Sequence, residues 1–216
     1  MLAIASAQGA VTYTWTGEGV PNDDGSLNWS NPTNWGKTAA ADYPGKTTSD
    51  IAAFPASTTA KIRIDVSKKI GSITATASGL DLTFVRDEGY VLTLTGAFGC
   101  GTANTKTESG SVFTLDGAEI VANSSTTYID TTAKLILKNG ASLTVGALRM
   151  DSKYAYKEGL VEVSGGSQLT ATATGTAFCI NDGGKLVIDD STVDIRGHVY
   201  VNNQNAGGGR IVFKGA

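Results

Sequence analysis

The chain has 216 residues, of which only 17% are charged and 27 are glycine, with a formal net charge of −3. Globular chains average about 25% charged residues, so the residues that coat helix surfaces are scarce, while short runs of Val, Ile, Leu and Thr favour strands. The acidic balance argues against non-specific nucleic-acid binding, and no apolar run approaches the ~20 residues that cross a bilayer.

From the N-terminus, Ala5-Ser6-Ala7 follows a short apolar stretch and fits a small-residue cleavage pattern. Residues 1–8 are expected to be a signal-peptide remnant lacking its basic start, the alternative being an ordinary chain terminus; a remnant implies a protein outside the cell or on its surface. Residues 9–60 hold all three tryptophans and all four prolines. They are expected to form a Trp-rich N-terminal cap.

Beyond residue 60 the texture becomes repetitive. Lys134-Leu135-Ile136-Leu137-Lys138-Asn139-Gly140 returns as Leu160-Val161-Glu162-Val163-Ser164-Gly165-Gly166 and again as Lys185-Leu186-Val187-Ile188-Asp189-Asp190-Ser191. A half-copy starts at Arg210 and a weaker copy at Ser111. Starts at 111, 134, 160, 185 and 210 lie 23, 26, 25 and 25 residues apart, a period that marks a solenoid. A leucine-rich repeat would show its L-x-x-L-x-L-x-x-N pattern, which is absent. Each copy holds two short strands joined by a small-residue corner. A third strand follows, as in Ala147-Leu148-Arg149-Met150, Ala177-Phe178-Cys179-Ile180 and His198-Val199-Tyr200-Val201. Three strands and three corners in about 25 residues describe one coil of a three-sided parallel β-helix. Period-2 alternation then stacks Leu135 and Leu137 on Val161 and Val163, on Leu186 and Ile188, and on Ile211 and Phe213. Gly140 and Gly166 fall at corners that need positive φ or close backbone approach. Weaker coils are expected through Ile70–Thr74 with Leu80–Phe84 and through Val91–Gly96. The β-helix should therefore cover residues 61–216, stopping in mid-coil at Ala216.

The series Trp15-Thr16-Gly17, then Trp29-Ser30-Asn31-Pro32-Thr33-Asn34-Trp35, has the form W-x-G…W-x₄-N-W. It is followed by Pro44, Asp50-Ile51-Ala52-Ala53-Phe54, Ile64-Asp65 and Ile70-Gly71-Ser72-Ile73. This order resembles the N-terminal start of bacterial autotransporter-like surface proteins, including those with autotransporter-associated β-strand repeats. The resemblance implies a Trp-rich opening segment followed by a right-handed β-helical passenger. It rests on motifs over residues 13–75 and on repeat texture beyond.

Several residue groups are candidates for function. Trp15, Trp29 and Trp35 could form an aromatic shelf that stacks sugar rings. The preferred reading is that they close the open first coil, because a solenoid end otherwise exposes apolar surface and unpaired strand edges. Asp189, Asp190, Asp194, Arg196 and His198 bring carboxylates, a cation and the single histidine into one stretch. Some β-helix enzymes use such groups on acidic polysaccharides. Here Asp189 and Asp190 read as corner residues, and Asp194 with Arg196 as an outward pair worth tenths of a kcal/mol. No triad or multi-histidine metal site can be built on one imidazole.

Cys100 and Cys179 lie at different phases and about three coils apart. At about 4.8 Å per coil they exceed the ~7 Å Cα separation that a disulfide tolerates. No bridge between them is expected, with Cys179 buried among Phe178 and Ile180. Asn202, Asn203, Asn205 and Gly207-Gly208-Gly209 read as a loop, lacking nucleotide-loop context. Asn28-Trp29-Ser30 and Asn123-Ser124-Ser125 match the glycosylation acceptor pattern.

The expected function is an extracellular structural or adhesive β-helical passenger with no catalytic, cofactor or metal site. Two alternatives are a carbohydrate-binding module using the tryptophans and a polysaccharide lyase or hydrolase. The expected partners are cell-surface glycans, or further copies of the chain meeting at the open C-terminal coil.

Overall fold

The computed structural model describes residues 9–74, 78–99, 110–129, 132–150, 159–180, 183–201 and 208–215. The chain forms the expected parallel β-solenoid, at about 24 residues per coil. Its first wall stacks β2 (Leu27–Asn28), β4 (Thr59–Ile64), β7 (Asp81–Arg86), β9 (Val112–Asp116), β11 (Lys134–Lys138), β13 (Leu160–Ser164), β16 (Lys185–Asp189) and β19 (Arg210–Lys214). The second stacks β5 (Lys68–Ile70), β8 (Leu92–Leu94), β10 (Glu119–Tyr128), β12 (Ser142–Met150), β14 (Gln168–Ala171) and β17 (Thr192–Ile195). The third wall begins with β1 (Thr12–Thr14), β3 (Ile51–Ala53) and β6 (Ser72–Thr74), which Ile73 extends by a parallel bridge to Phe98. It resumes in the far ends of β10 and β12, then in β15 (Thr176–Ile180) and β18 (His198–Val201). A register break between Ala122 and Thr126 lets β10 turn the corner from the second wall to the third.

The register confirms the column logic read from the repeats. Leu27, Ile62, Phe84, Leu115, Leu137, Val163, Ile188 and Phe213 are successive partners down one interior file. Leu82, Phe113, Leu135, Val161, Leu186 and Ile211 form the file beside it. Burial of a Leu or Phe side chain contributes roughly 1.5–3 kcal/mol, so the stacked files are the main source of stability. At the last strand of the wall this protection ends, and Phe213 is 76% exposed.

Aromatic rings thread the upper half of the interior. Edge-to-face contacts run from Trp35 to Phe54 (5.9 Å), Phe54 to Phe84 (6.4 Å), Phe84 to Phe98 (6.3 Å) and Phe98 to Phe113 (5.8 Å). These distances fall in the range where the ring quadrupoles attract.

Corners obey local backbone chemistry. Gly140 and Gly166 adopt φ of 73° and 72°, while Asn139 and Asp190 take φ of 57° and 44°; Asn and Asp tolerate this left-handed region better than most residues. Gly197 serves differently. A Cβ placed there would lie 2.3 Å from the Gly175 carbonyl oxygen and 2.4 Å from that of Ala173.

The Trp-rich segment 9–60 closes the N-terminal end and also contributes strands to the walls: β1 pairs with β3, and Leu27 of β2 pairs with Ile62 of β4. The boundary at residue 60 falls inside β4. Cys179 is half-buried, not enclosed. Phe178 and Ile180 both face the core, and alternation turns the residue between them outward, in register with Arg149 and Tyr200. Cys100, the 1–8 segment and residues 202–207 lie outside the described residues.

Candidate interaction surfaces

The three tryptophans converge at the N-terminal end. Trp15 is 4% exposed, Trp29 0% and Trp35 2%. Trp35 stands edge-on to Trp15 at 4.8 Å and to Trp29 at 4.9 Å. Two of the indole N–H groups find backbone acceptors: Trp29 Nε1 donates to the Pro44 carbonyl at 3.0 Å, and Trp35 Nε1 to the Trp29 carbonyl at 2.9 Å. Such burial leaves no indole face open for a sugar ring to stack on.

The segment is positioned by buried polar groups. A four-residue 3₁₀ turn, Pro32–Trp35, carries Asn34 into the interior, with Asn31 capping its start and Gly36 closing it in the left-handed region. Asn34 Oδ1 accepts from the Gly19 amide at 2.7 Å, its Nδ2 donates to the Asn28 carbonyl at 2.9 Å, and its own carbonyl accepts from the Thr16 amide. Asp50, also buried, accepts from the Thr47 hydroxyl (2.6 Å), the Thr47 amide (2.9 Å) and the Gly45 amide (3.1 Å). Burial pushes the Asp50 carboxyl up, but these donors outweigh it and hold it below its ordinary value. Tyr13 is pushed up to about 12 by burial and by its hydrogen bond to Asp42. Asp65 accepts from the Ser30 amide at 2.9 Å and from the Ser30 hydroxyl. These ties join residues from 3 to 35 positions apart, and no sequence motif announces the long ones.

An open polar groove beside the first wall is lined by Pro21, Asn22, Asp23, Asn28, Arg63 and Asp87. Its ion pairs form a chain: Asp24 meets Lys61 at 2.8 Å and Arg63 at 2.9 Å, and Arg63 meets Asp87 at 2.6 Å. Lys61, then Ser26, then Arg63 hold the Asp24 carboxyl far below the usual carboxylate range. The four charges of this chain balance, and Asp23 beside them leaves the groove with one net negative charge. The sequence reading passed over this network because Asp24 and Arg63 meet only when β2 stacks on β4.

The second candidate group is spread around the solenoid. Asp189 ends β16 on the first wall and Asp190 forms the corner. Asp194 lies on the second wall, paired with Arg196 at 3.5 Å on the outer surface as expected. His198 opens β18 on the third wall, its ring 6.4 Å from that of Tyr200. These side chains therefore face different directions and line no common cleft. Among the described residues no cluster of three His, Cys, Asp or Glu side chains is placed to hold a metal ion. No helix among them is long and apolar enough to cross a membrane. Of the two glycosylation patterns, Asn123 is exposed, whereas Asn28 lies in β2 and accepts a hydrogen bond from Asn22 at 2.7 Å.

No family model, curated protein or solved structure matches this chain.

Proposed function

We propose that the chain is a structural and adhesive module of a secreted or cell-surface protein, a rigid spacer of the autotransporter-passenger kind without a catalytic site of its own. The observation that carries this reading is the continuous stacking of the first wall from β2, beside the tryptophan-closed end, to β19, which pairs backbone groups coil after coil and adds length by repetition. The ion-paired arrangement of Asp24, Lys61, Arg63 and Asp87 in the groove and the dispersed Asp189–His198 group favour it over a polysaccharide-cleaving enzyme. Buried indoles favour it over a sugar-stacking module. An antibody raised against the chain should label intact, unpermeabilised cells of the source organism, and external protease should remove the signal. Labelling only after lysis would overturn the reading.

We further propose self-association through the exposed Phe213 of β19 as a second property. Light scattering should show apparent mass rising with concentration. A constant monomer mass would count against it.

A further inference from the structure

On the outer face of the first wall, the leading outward file runs Lys134, Leu160, Lys185, Arg210 in register. Lys138 and Lys214 occupy the trailing side of the same strands. Across β11, β13, β16 and β19 there are five cations against two carboxylates, Glu162 and Asp189, a net +3 on a chain whose total is −3. Nearer the N-terminus, cations of this wall are neutralised: Lys61 and Arg63 by Asp24, and Arg86 by Glu119. Lys138 bridges Asp116 at 3.3 Å, but Lys134, Lys185 and Arg210 form no ion pair among the described residues. The second wall offers a contrast, since across β12, β14 and β17 Ser142, Thr144, Gln168 and Thr192 are uncharged and the carboxylate there, Asp194, pairs with Arg196.

Between the two cationic sides runs a partly apolar file. Ile136 and Val212 stand half-exposed there, Val187 between them is buried, and Glu162 breaks the file. Half-exposed β-branched residues beside cations that have no ion pair among the described residues are poorly suited to a surface meant only for water, and the pattern repeats in one direction at the strand spacing of about 4.8 Å. A ligand matching both features is a linear polymer with negative groups along its edge and apolar C–H faces between them. None of the outward residues on these four strands is aromatic, so the stacking platform that single-stranded nucleic acids require is missing.

We propose that this strip binds an anionic polysaccharide, uronic or sulfated, lying along the solenoid axis. The inference rests on the adhesive part of the function proposed above and names its ligand class. Charge attracts the polymer, the file of cations sets its direction, and Glu162 and Asp189 limit how many sugars can seat.

The test uses the whole chain on immobilised polygalacturonate and heparin, with neutral dextran as control. Retention on both polyanions, its loss at high salt and passage through dextran are expected. The variant Lys134→Gln/Lys185→Gln/Arg210→Gln should bind at least about tenfold more weakly, while Lys46→Gln/Lys69→Gln/Arg196→Gln, with the same change in net charge, should stay within about twofold. Circular-dichroism melting checks that both variants fold; all six substituted side chains point to solvent. No retention on either polyanion, or equal weakening in the two variants, overturns the proposal. That failure would leave surface labelling intact, whereas a chain absent from the cell surface would sink the spacer function whatever it binds in vitro.

Discussion

Replacing Trp35 by alanine tests whether the N-terminal end is closed by packing. The indole is 2% exposed and lies between Trp15, Trp29 and Phe54. Truncating a buried aromatic costs about 3–5 kcal/mol, and the Trp29 carbonyl loses its donor, adding about 1 kcal/mol. A total of about 4–6 kcal/mol is a large part of the ~5–15 kcal/mol that holds a typical domain. In a solenoid each coil touches only its neighbours, so the loss should stay local. Hydrogen exchange should therefore show β1 to β4 losing protection while β11 to β16 keep theirs, and urea unfolding should acquire an early phase. Trp35→Phe keeps a ring but not the N–H, and should cost about 1–2 kcal/mol. A loss below about 1 kcal/mol for Trp35→Ala, or uniform loss of protection along the chain, would refute the packing argument. Glycan binding abolished at unchanged stability would restore the sugar-shelf reading.

Other outcomes follow from single groups. Thr127 is buried on the third wall with no hydrogen-bond partner for its hydroxyl; Thr127→Val should stabilise by about 1 kcal/mol in urea titration, and destabilisation would mean the hydroxyl is satisfied in solution. Gly197→Ala drives a methyl into two carbonyl oxygens and should cost about 2 kcal/mol or more, with a melting temperature within a degree of the parent refuting the close approach. Because the Asp50 carboxyl is held below its ordinary value in the folded chain, its stabilising effect is full above the unfolded pKa of about 4 and is lost as pH falls through the lower folded value. Asp50→Asn should flatten the stability profile below about pH 4, and an unchanged acid slope would argue against it.

How much of this could be read from the residues depends on which forces act locally. Strand alternation and the 25-residue period were enough to stack Leu137 on Val163 and Ile188, because side-chain direction at period 2 is a property of each strand alone. Gly140 and Asp190 were legible as corners for the same reason. The wall strands within 9–60 were not, since Leu27–Asn28 is too short to carry a pattern and gains its identity by pairing with β4. Cys179 was misplaced by reading a run of apolar residues as uniformly buried where alternation should have decided. Asn34, Asp50 and Asp65 act through partners chosen by the coil path, as does the Asp24–Arg63–Asp87 chain. The cationic file was equally silent: Lys134, Lys185 and Arg210 become neighbours only once the register is known.

The direction of the wall hydrogen bonds has a mechanical consequence. They run along the solenoid axis, so tension between the two ends pulls strands apart one ladder at a time and does not shear a whole sheet at once. Each coil that yields would pay out about 24 residues, roughly 80 Å of extended chain. The aromatic thread from Trp35 to Phe113 stiffens the upper coils, and the lower ones are held mainly by aliphatic side chains around the single buried ring of Phe178 among the described residues. Under load such a molecule would lengthen in steps from its lower end, absorbing energy while its tryptophan-closed end stays folded.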